Sequence, residues 1–194
     1  GVLLCNEKKL YELCRKKRNL GMDRKNQTTT SWKGRSWSYD VDTQGFRYHM
    51  SNINAAIGLA QLKKVDKFIS RRRKLAIKYD CAFQSLKEIK TLQIDYDTVT
   101  PHIYVIRVEN NLRDPLMKYL KDQDIETGVN YIPNHLHSFY KQENLVLLET
   151  EKAYEEILTL PLHCKLSDLD VDRVIACTRE FLDQKRNKVS PTKV

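Results

Sequence analysis

The spacing of apolar residues along this chain changes from segment to segment, and the changes mark its elements. Val2-Leu3-Leu4-Cys5 is a short apolar run that reads as a buried strand ending at Asn6. Asn6 is placed to cap a helix reaching about Leu20, with Glu7 in the first turn, Leu10, Leu13 and Cys14 as the inner stripe, and Gly21 as its stop. A strand followed directly by a helix is half of a βαβ unit, and a lone strand leaves both edges unpaired. The pattern therefore predicts a chain that starts in mid-domain.

Periodicity lapses over residues 22–50, a polar and aromatic stretch containing Thr28-Thr29-Thr30-Ser31-Trp32. A connection of that length is expected to be a functional loop. Its Trp32, Lys33, Arg35 and Trp37 admit two readings: stacking on a base while holding a phosphate, or anchoring the loop to a core.

Helical spacing returns at Ser51, a cap with Met50 before it as a staple. Ile53, Ile57, Ala60, Val65, Phe68, Ile69, Ala76 and Tyr79 predict one helix of roughly thirty residues, ~40 Å long, enough to leave one domain and enter another. Its other face carries Lys63, Lys64, Lys67, Arg71 and Arg73.

From about residue 81 the pattern is that of a small α/β unit. His102–Val108 alternates as a half-buried strand, with Ile103, Val105 and Arg107 on one face and Tyr104, Ile106 and Val108 on the other. Asp114-Pro115 opens a helix to about Gln123. Thr127–Ile132 reads as a second strand, leading into Pro133-Asn134-His135-Leu136-His137, and Glu149–Leu158 as a short helix. Ser167, with Asp170 in the box position, caps a last helix whose inner stripe is Val171, Val174, Ile175, Thr178 and Phe181. Beyond Gln184 the tail is basic and expected to fray. The divisions expected are thus 1–50, 51–80, 81–184 and 185–194.

Composition narrows the class. The 194 residues are 41% hydrophobic and 30% charged, a globular balance, with a net charge of +9. No apolar run approaches the ~18 residues of a membrane span, and the first residues lack a signal peptide's layout. Five scattered cysteines without a CxxC pair argue against a disulfide framework or a zinc site, and the expected location is the reducing cytoplasm. The positive charge gathers in Arg15-Lys16-Lys17-Arg18, Arg71-Arg72-Arg73-Lys74 and Lys185-Arg186-Asn187-Lys188. Such clusters serve nucleic acid, anionic surfaces or phosphorylated small molecules, or are simply solvated helix faces.

GxGxxG, Walker, GxSxG and HExxH motifs are all missing from the sequence. Two polar clusters remain. In Gly45-Phe46-Arg47-Tyr48-His49-Met50-Ser51, Arg47 and His49 precede a helix N-terminus, where amides and the dipole favour anions, so the cluster reads as a phosphate site. In Tyr131–Tyr140, His135 and His137 could bind a metal if joined by further ligands, but nearby carboxylates are few, and the two are expected rather to contact a ligand or to cap backbone groups.

The stretch GFRYHMSNINAAIGLAQLKKVDKFISRRRKLAIKY resembles the signature of the pyridoxal-phosphate-dependent nucleotide-sugar aminotransferases, the DegT/DnrJ/EryC1/StrS family. Gly45, Tyr48, Met50, Ser51, Ala55, Ala56, Gly58, Gln61 and Leu62 match it, and HIYVIRV, RDPLMKYLKDQDIETGVNYIPNHLHSFY, EEILTLPLH and LSDLDVDRVI follow in the family's order, to about residue 184. The resemblance implies an α/β fold: the C-terminal portion of a fold-type-I aminotransferase, with 1–50 ending the large cofactor-binding domain, 51–80 the connecting helix and 81–184 the small domain. It implies pyridoxal 5'-phosphate as cofactor, and amino transfer, usually from glutamate, to a keto-sugar on a nucleoside diphosphate. It further implies a homodimer with shared active sites, in which Arg47, Tyr48 and His49 reach the partner's cofactor phosphate. Lys33, Arg35, Tyr131, His135 and His137 are then expected near the nucleotide-sugar.

Three departures qualify this. The lysine that the family joins to the cofactor is expected upstream of this chain, which leaves no catalytic residue here. Arg47 stands for the customary Asn and His49 for the customary Arg, which alters how a phosphate is held. Asn130 stands where a His is common. Two alternatives stay open: a non-catalytic scaffold paralogue, and a basic nucleic-acid-binding module whose affinity falls about one log unit per log unit of salt for each phosphate neutralised.

Overall fold

The computed structural model describes residues 3–23, 39–142 and 144–189 of the chain. They fall into two compact units, Gly1–Lys63 and Lys64–Val194.

In the first unit, α1 spans Lys8–Lys17. It is entered from Glu7 with no side-chain cap, so Asn6 does not play the expected capping part. Residues 3–5 form no strand: Leu3 and Leu4 are exposed, and no described segment lies alongside to pair with them. The stripe of α1 is only partly covered, with Leu10 and Leu13 exposed and no residue fully buried. After Gly21 the chain makes β1 (Met22–Asp23), antiparallel to β2 (Asp40–Val41) in the register Met22↔Val41. Two-residue strands are too short to leave a periodic signal.

Ser51 caps α2 (Asn52–Leu62) as expected, its Oγ accepting from the Asn54 amide at 3.2 Å. The single long helix of the sequence reading is, however, two. Lys64 adopts φ −110°, ψ 0°, outside the helical range, and α3 begins afresh at Val65, running to Phe83. Neither Gly nor Pro marks this break.

The second unit is built on an antiparallel three-stranded sheet in the order β3 (Ile89–Thr91), β4 (Tyr104–Val108), β5 (Ile157–Leu160). The alternation read over 102–108 holds within β4: Tyr104, Ile106 and Val108 are buried, and Val105 and Arg107 only partly so. Opposite them in register stand Leu160, Leu158 and Ile89, a row of apolar cross-strand pairs on one face. Helix α3 contributes Leu75, Ala76, Tyr79 and Phe83 to the core. Helix α4 (Arg113–Asp122) adds Leu116 and Leu120, and α6 (Asp168–Val189) adds Val171, Val174, Ile175, Phe181 and Leu182. Each large apolar side chain so buried contributes about 1.5–3 kcal/mol. The core's hydroxyls are satisfied: Tyr79 donates to the Pro161 carbonyl (3.1 Å) and Tyr104 to Asp80 (2.6 Å) while stacking on Tyr79.

Two expectations at the ends of elements change. Helix α5 (Leu148–Glu156) stops short of Leu158, and the apolar Ile157–Leu160 turns directly into β5. Helix α6 opens with the predicted capping box, since Ser167 Oγ accepts from the Asp170 amide (3.1 Å) and Asp170 accepts from the Ser167 amide (2.7 Å). It then continues past Gln184, because Arg186 makes a forked pair with Glu88, Nε at 2.8 Å and the second nitrogen at 2.5 Å.

Candidate functional site

The chain turns back on itself at Gly21 and Gly45. Gly21 sits at φ +74°, and a Cβ there would stand 1.8 Å from the Thr43 oxygen; one on Gly45 would stand 2.0 Å from the Gly21 nitrogen. Only two glycines permit this approach. It lets the Phe46 amide donate to the Lys17 carbonyl (2.6 Å), the Leu20 amide to Phe46 (3.0 Å) and the Tyr48 amide to Arg18 (2.8 Å). Residues 45–48 are thereby stitched to the end of α1, immediately before the capped start of α2.

Arg47, Tyr48 and His49 emerge from this stitched segment exposed, with the Tyr48 ring stacked on Phe46 at 5.3 Å. Arg47 has no side-chain partner among the described residues. A guanidinium and a histidine stand ahead of a helix with no acidic residue in its first turn, a setting whose amides and dipole favour negative charge. The phosphate end of a pyridoxal cofactor fits this chemistry. In the last turn of α1, Lys16 is held between Asp23 (2.5 Å) and Asp42 (2.6 Å), and these carboxylates push its ammonium well above the usual lysine range. That fixes Lys16 as a cation, the wrong state for a nucleophilic amine. Lys33 and Arg35, with Trp32 and Trp37, lie outside the described residues.

In the second unit, the segment after α4 is fastened to β5. Gly128 and Thr159 exchange both backbone hydrogen bonds (3.1 and 2.7 Å), and the Thr159 hydroxyl donates to Asn130 Oδ1 at 2.8 Å. This one bridge is what the structure makes of the expected strand 127–132. The chain then passes through Pro133, buried, into a 3-10 turn at Asn134–Leu136.

The structure brings Tyr131, His135 and His137 onto this one segment but separates their roles. Tyr131 is 79% exposed and His137 is exposed as well. His135 is turned inward, 8% exposed, with Nε2 at 2.9 Å from Glu151 Oε1. The same oxygen accepts from the Leu147 amide at 3.0 Å. That amide, and then His135, hold the Glu151 carboxyl below the usual carboxylate range. An ionised carboxylate only accepts, so His135 carries a proton on Nε2. Sequence reasoning missed Asn130, Thr159 and Glu151 as supports. Nothing in the spacing of a coil segment announces which distant side chain will meet it.

Part of the basic charge on α3 is engaged. Arg71 donates to Asp168 (2.6 Å) and to the Leu166 carbonyl (2.5 Å), Lys74 pairs with Asp168 (3.2 Å) and Lys78 with Asp172 (2.7 Å). Arg71 and Lys74 keep the Asp168 carboxyl below its usual range. Among the described residues no three His, Cys, Asp or Glu side chains converge as a metal site, and no helix is long and apolar enough to cross a membrane.

An α/β unit of this topology, accompanied by a cation-bearing segment stitched ahead of a capped helix, places the protein among the aminotransferases in fold. Residues 1–179 match the sequence profile of the DegT/DnrJ/EryC1/StrS aminotransferase family, and the chain belongs to that family. It is 31% identical over 192 residues to the spore coat polysaccharide biosynthesis protein SpsC of Bacillus subtilis (strain 168), covering 94% of this chain and 49% of SpsC. The aminotransferase TlmJ of Streptoalloteichus hindustanus superposes with a TM-score of 0.75 at 31% identity, over 92% of this chain and 46% of TlmJ. Spr1654 of Streptococcus pneumoniae, with structures in PLP, PMP and apo forms, gives 0.78 at 27% identity for the PMP form, over 93% and 46% of the two chains. The chain thus spans about half the length of the relatives it matches.

Proposed function

We propose that this chain works within a pyridoxal-phosphate-dependent aminotransferase that moves an amino group from glutamate to a keto-sugar carried on a nucleoside diphosphate, as a cytoplasmic homodimer. The observation that carries the reading is the stitched segment Gly45–His49, which holds the unpartnered Arg47 in front of the α2 N-terminus. When bound, the cofactor takes up the amino group and spreads the charge left on the donor's carbon.

This chain's own residues bind and orient. Arg47 holds the cofactor phosphate with His49 beside it, in the partner subunit's site, and Tyr48 shields that contact. Tyr131 offers an open aromatic face to the nucleotide-sugar, His137 a hydrogen-bonding ring, and Lys33 and Arg35 cations for its diphosphate. No lysine of this chain is assigned to covalent attachment of the cofactor, and Lys16, paired with Asp23 and Asp42, is unsuited to it. The ion pairs of Arg71, Lys74 and Lys78 support a small-molecule role over nucleic-acid binding, because cations already engaged release few counterions.

Borohydride reduction of the chain with pyridoxal phosphate, followed by peptide mapping, tests the division of labour. Diffuse labelling of exposed lysines is expected. A single labelled lysine, or formation of 2-oxoglutarate by this chain alone from glutamate and a keto-sugar nucleotide, would overturn it. Arg47→Ala should weaken retention of pyridoxal phosphate about tenfold once the complementary half of a relative such as SpsC is added, the loss expected for one charge-assisted contact.

A further inference from the structure

We propose that His135 is a positioning residue for the nucleotide-sugar: it acts through Glu151 to hold Tyr131 ready for the ligand and does not touch the ligand itself. This rests on the reading of Tyr131 as a ligand contact given above.

Two anchors delimit the segment. At its start, Gly128 and Asn130 are bonded to Thr159; at its end, His135 is bonded to Glu151. Both anchor points sit on one continuous piece of chain, because α5 runs straight into β5. Tyr131 is therefore stretched between two points of a single body, with Pro133 buried beneath the span. A ring 79% exposed gains little from the protein's own packing. Its worth to a ligand depends on its backbone being ordered beforehand, since a loop that must be fixed on binding subtracts that cost from the affinity.

Glu151 is suited to this work. One of its oxygens serves both the Leu147 amide, at the entry to α5, and the His135 ring, so the helix start and the segment share one acceptor. The inward face of His135 leaves it no route to a ligand, whereas the exposed His137 has one.

The test is calorimetric titration of the full chain with UDP-N-acetylglucosamine. His135→Ala and Glu151→Ala should each weaken binding about tenfold, and the double variant no further, as two members of one clasp are not additive. His135→Gln, which keeps an N–H donor, and Glu151→Gln, which keeps the acceptor, should restore most of the affinity even if the alanine variants melt early. Tyr131→Ala should add little on the His135→Ala background. Unchanged binding by His135→Ala overturns the role. So does equal loss in His135→Ala and His135→Gln, which would mean that the ring meets the ligand. Failure of the unsubstituted chain to bind overturns the functional reading, and the positioning role with it.

Discussion

A single methyl group decides whether Arg47 stays where it is. Gly45 and Gly21 approach so closely that an added Cβ on Gly45 meets backbone atoms, the Gly21 nitrogen at 2.0 Å and the Leu20 carbon at 2.5 Å, neither of which can swing aside as a side-chain tip would. Gly45→Ala must therefore separate residues 45–48 from the end of α1. We expect the amides of Leu20, Phe46 and Tyr48, which carry the stitching bonds, to exchange roughly thirtyfold faster, corresponding to about 2 kcal/mol. Exchange at the wild-type rate would show that the close approach is not maintained in solution. At this scale the sequence was partly legible. The place of Arg47 and His49 just before a capped helix could be read, because the cap and the cations lie within a few residues. The burial of His135 could not, because it depends on Glu151, which belongs to another element.

Elements with long, regular apolar spacing were read most faithfully. The inner stripe Val171, Val174, Ile175, Thr178 and Phe181 of α6 is buried throughout, and the box of Ser167 and Asp170 forms as its spacing requires. Strands β3 and β5 escaped notice because three or four residues show too little alternation, and β5 was absorbed into the helix before it. The break at Lys64 escaped because it has no helix-breaking residue. The N-terminal run at 2–5 read as a strand from apolarity alone, yet a strand exists only where another chain segment takes its hydrogen bonds, and the described residues 3–5 have none. The box gives a prediction at this scale. Ser167→Ala removes the acceptor for the Asp170 amide, and the chemical-denaturation midpoint of the chain should fall by the equivalent of about 1 kcal/mol with an unchanged slope. An altered slope would mean that more than the cap had been lost.

The two units differ in what stabilises them. Every buried apolar residue described belongs to the second, from Leu75 to Leu182, whereas among the described residues of the first only Gly21 and Asp23 are buried. Its helices α1 and α2 contain no buried residue, and helices of ten or eleven residues are marginal in water without a packed face. Cooperative heat unfolding should thus report the second unit alone, with a heat-capacity increment of about 1.7 kcal/mol/K rather than the ~2.5 expected if the whole chain took part. The pH dependence follows from five carboxyls of that unit, one of them Asp95, which the Asp97 amide holds below its usual range. Arg186 depresses Glu88, the Leu147 amide and His135 depress Glu151, Arg71 depresses Asp168, and the Ser167 amide depresses Asp170. A carboxyl that ionises more readily folded than unfolded stabilises the fold above its unfolded value, near 4.5 for the two glutamates, and ceases to do so as pH falls through its lower folded value. Calorimetry from neutral pH downwards should show a nearly level melting temperature to about pH 5, then a steady fall. Arg186→Ala, which frees Glu88, should make that fall shallower; a fall as steep as the unsubstituted chain's would mean that the forked pair does not couple protons to folding.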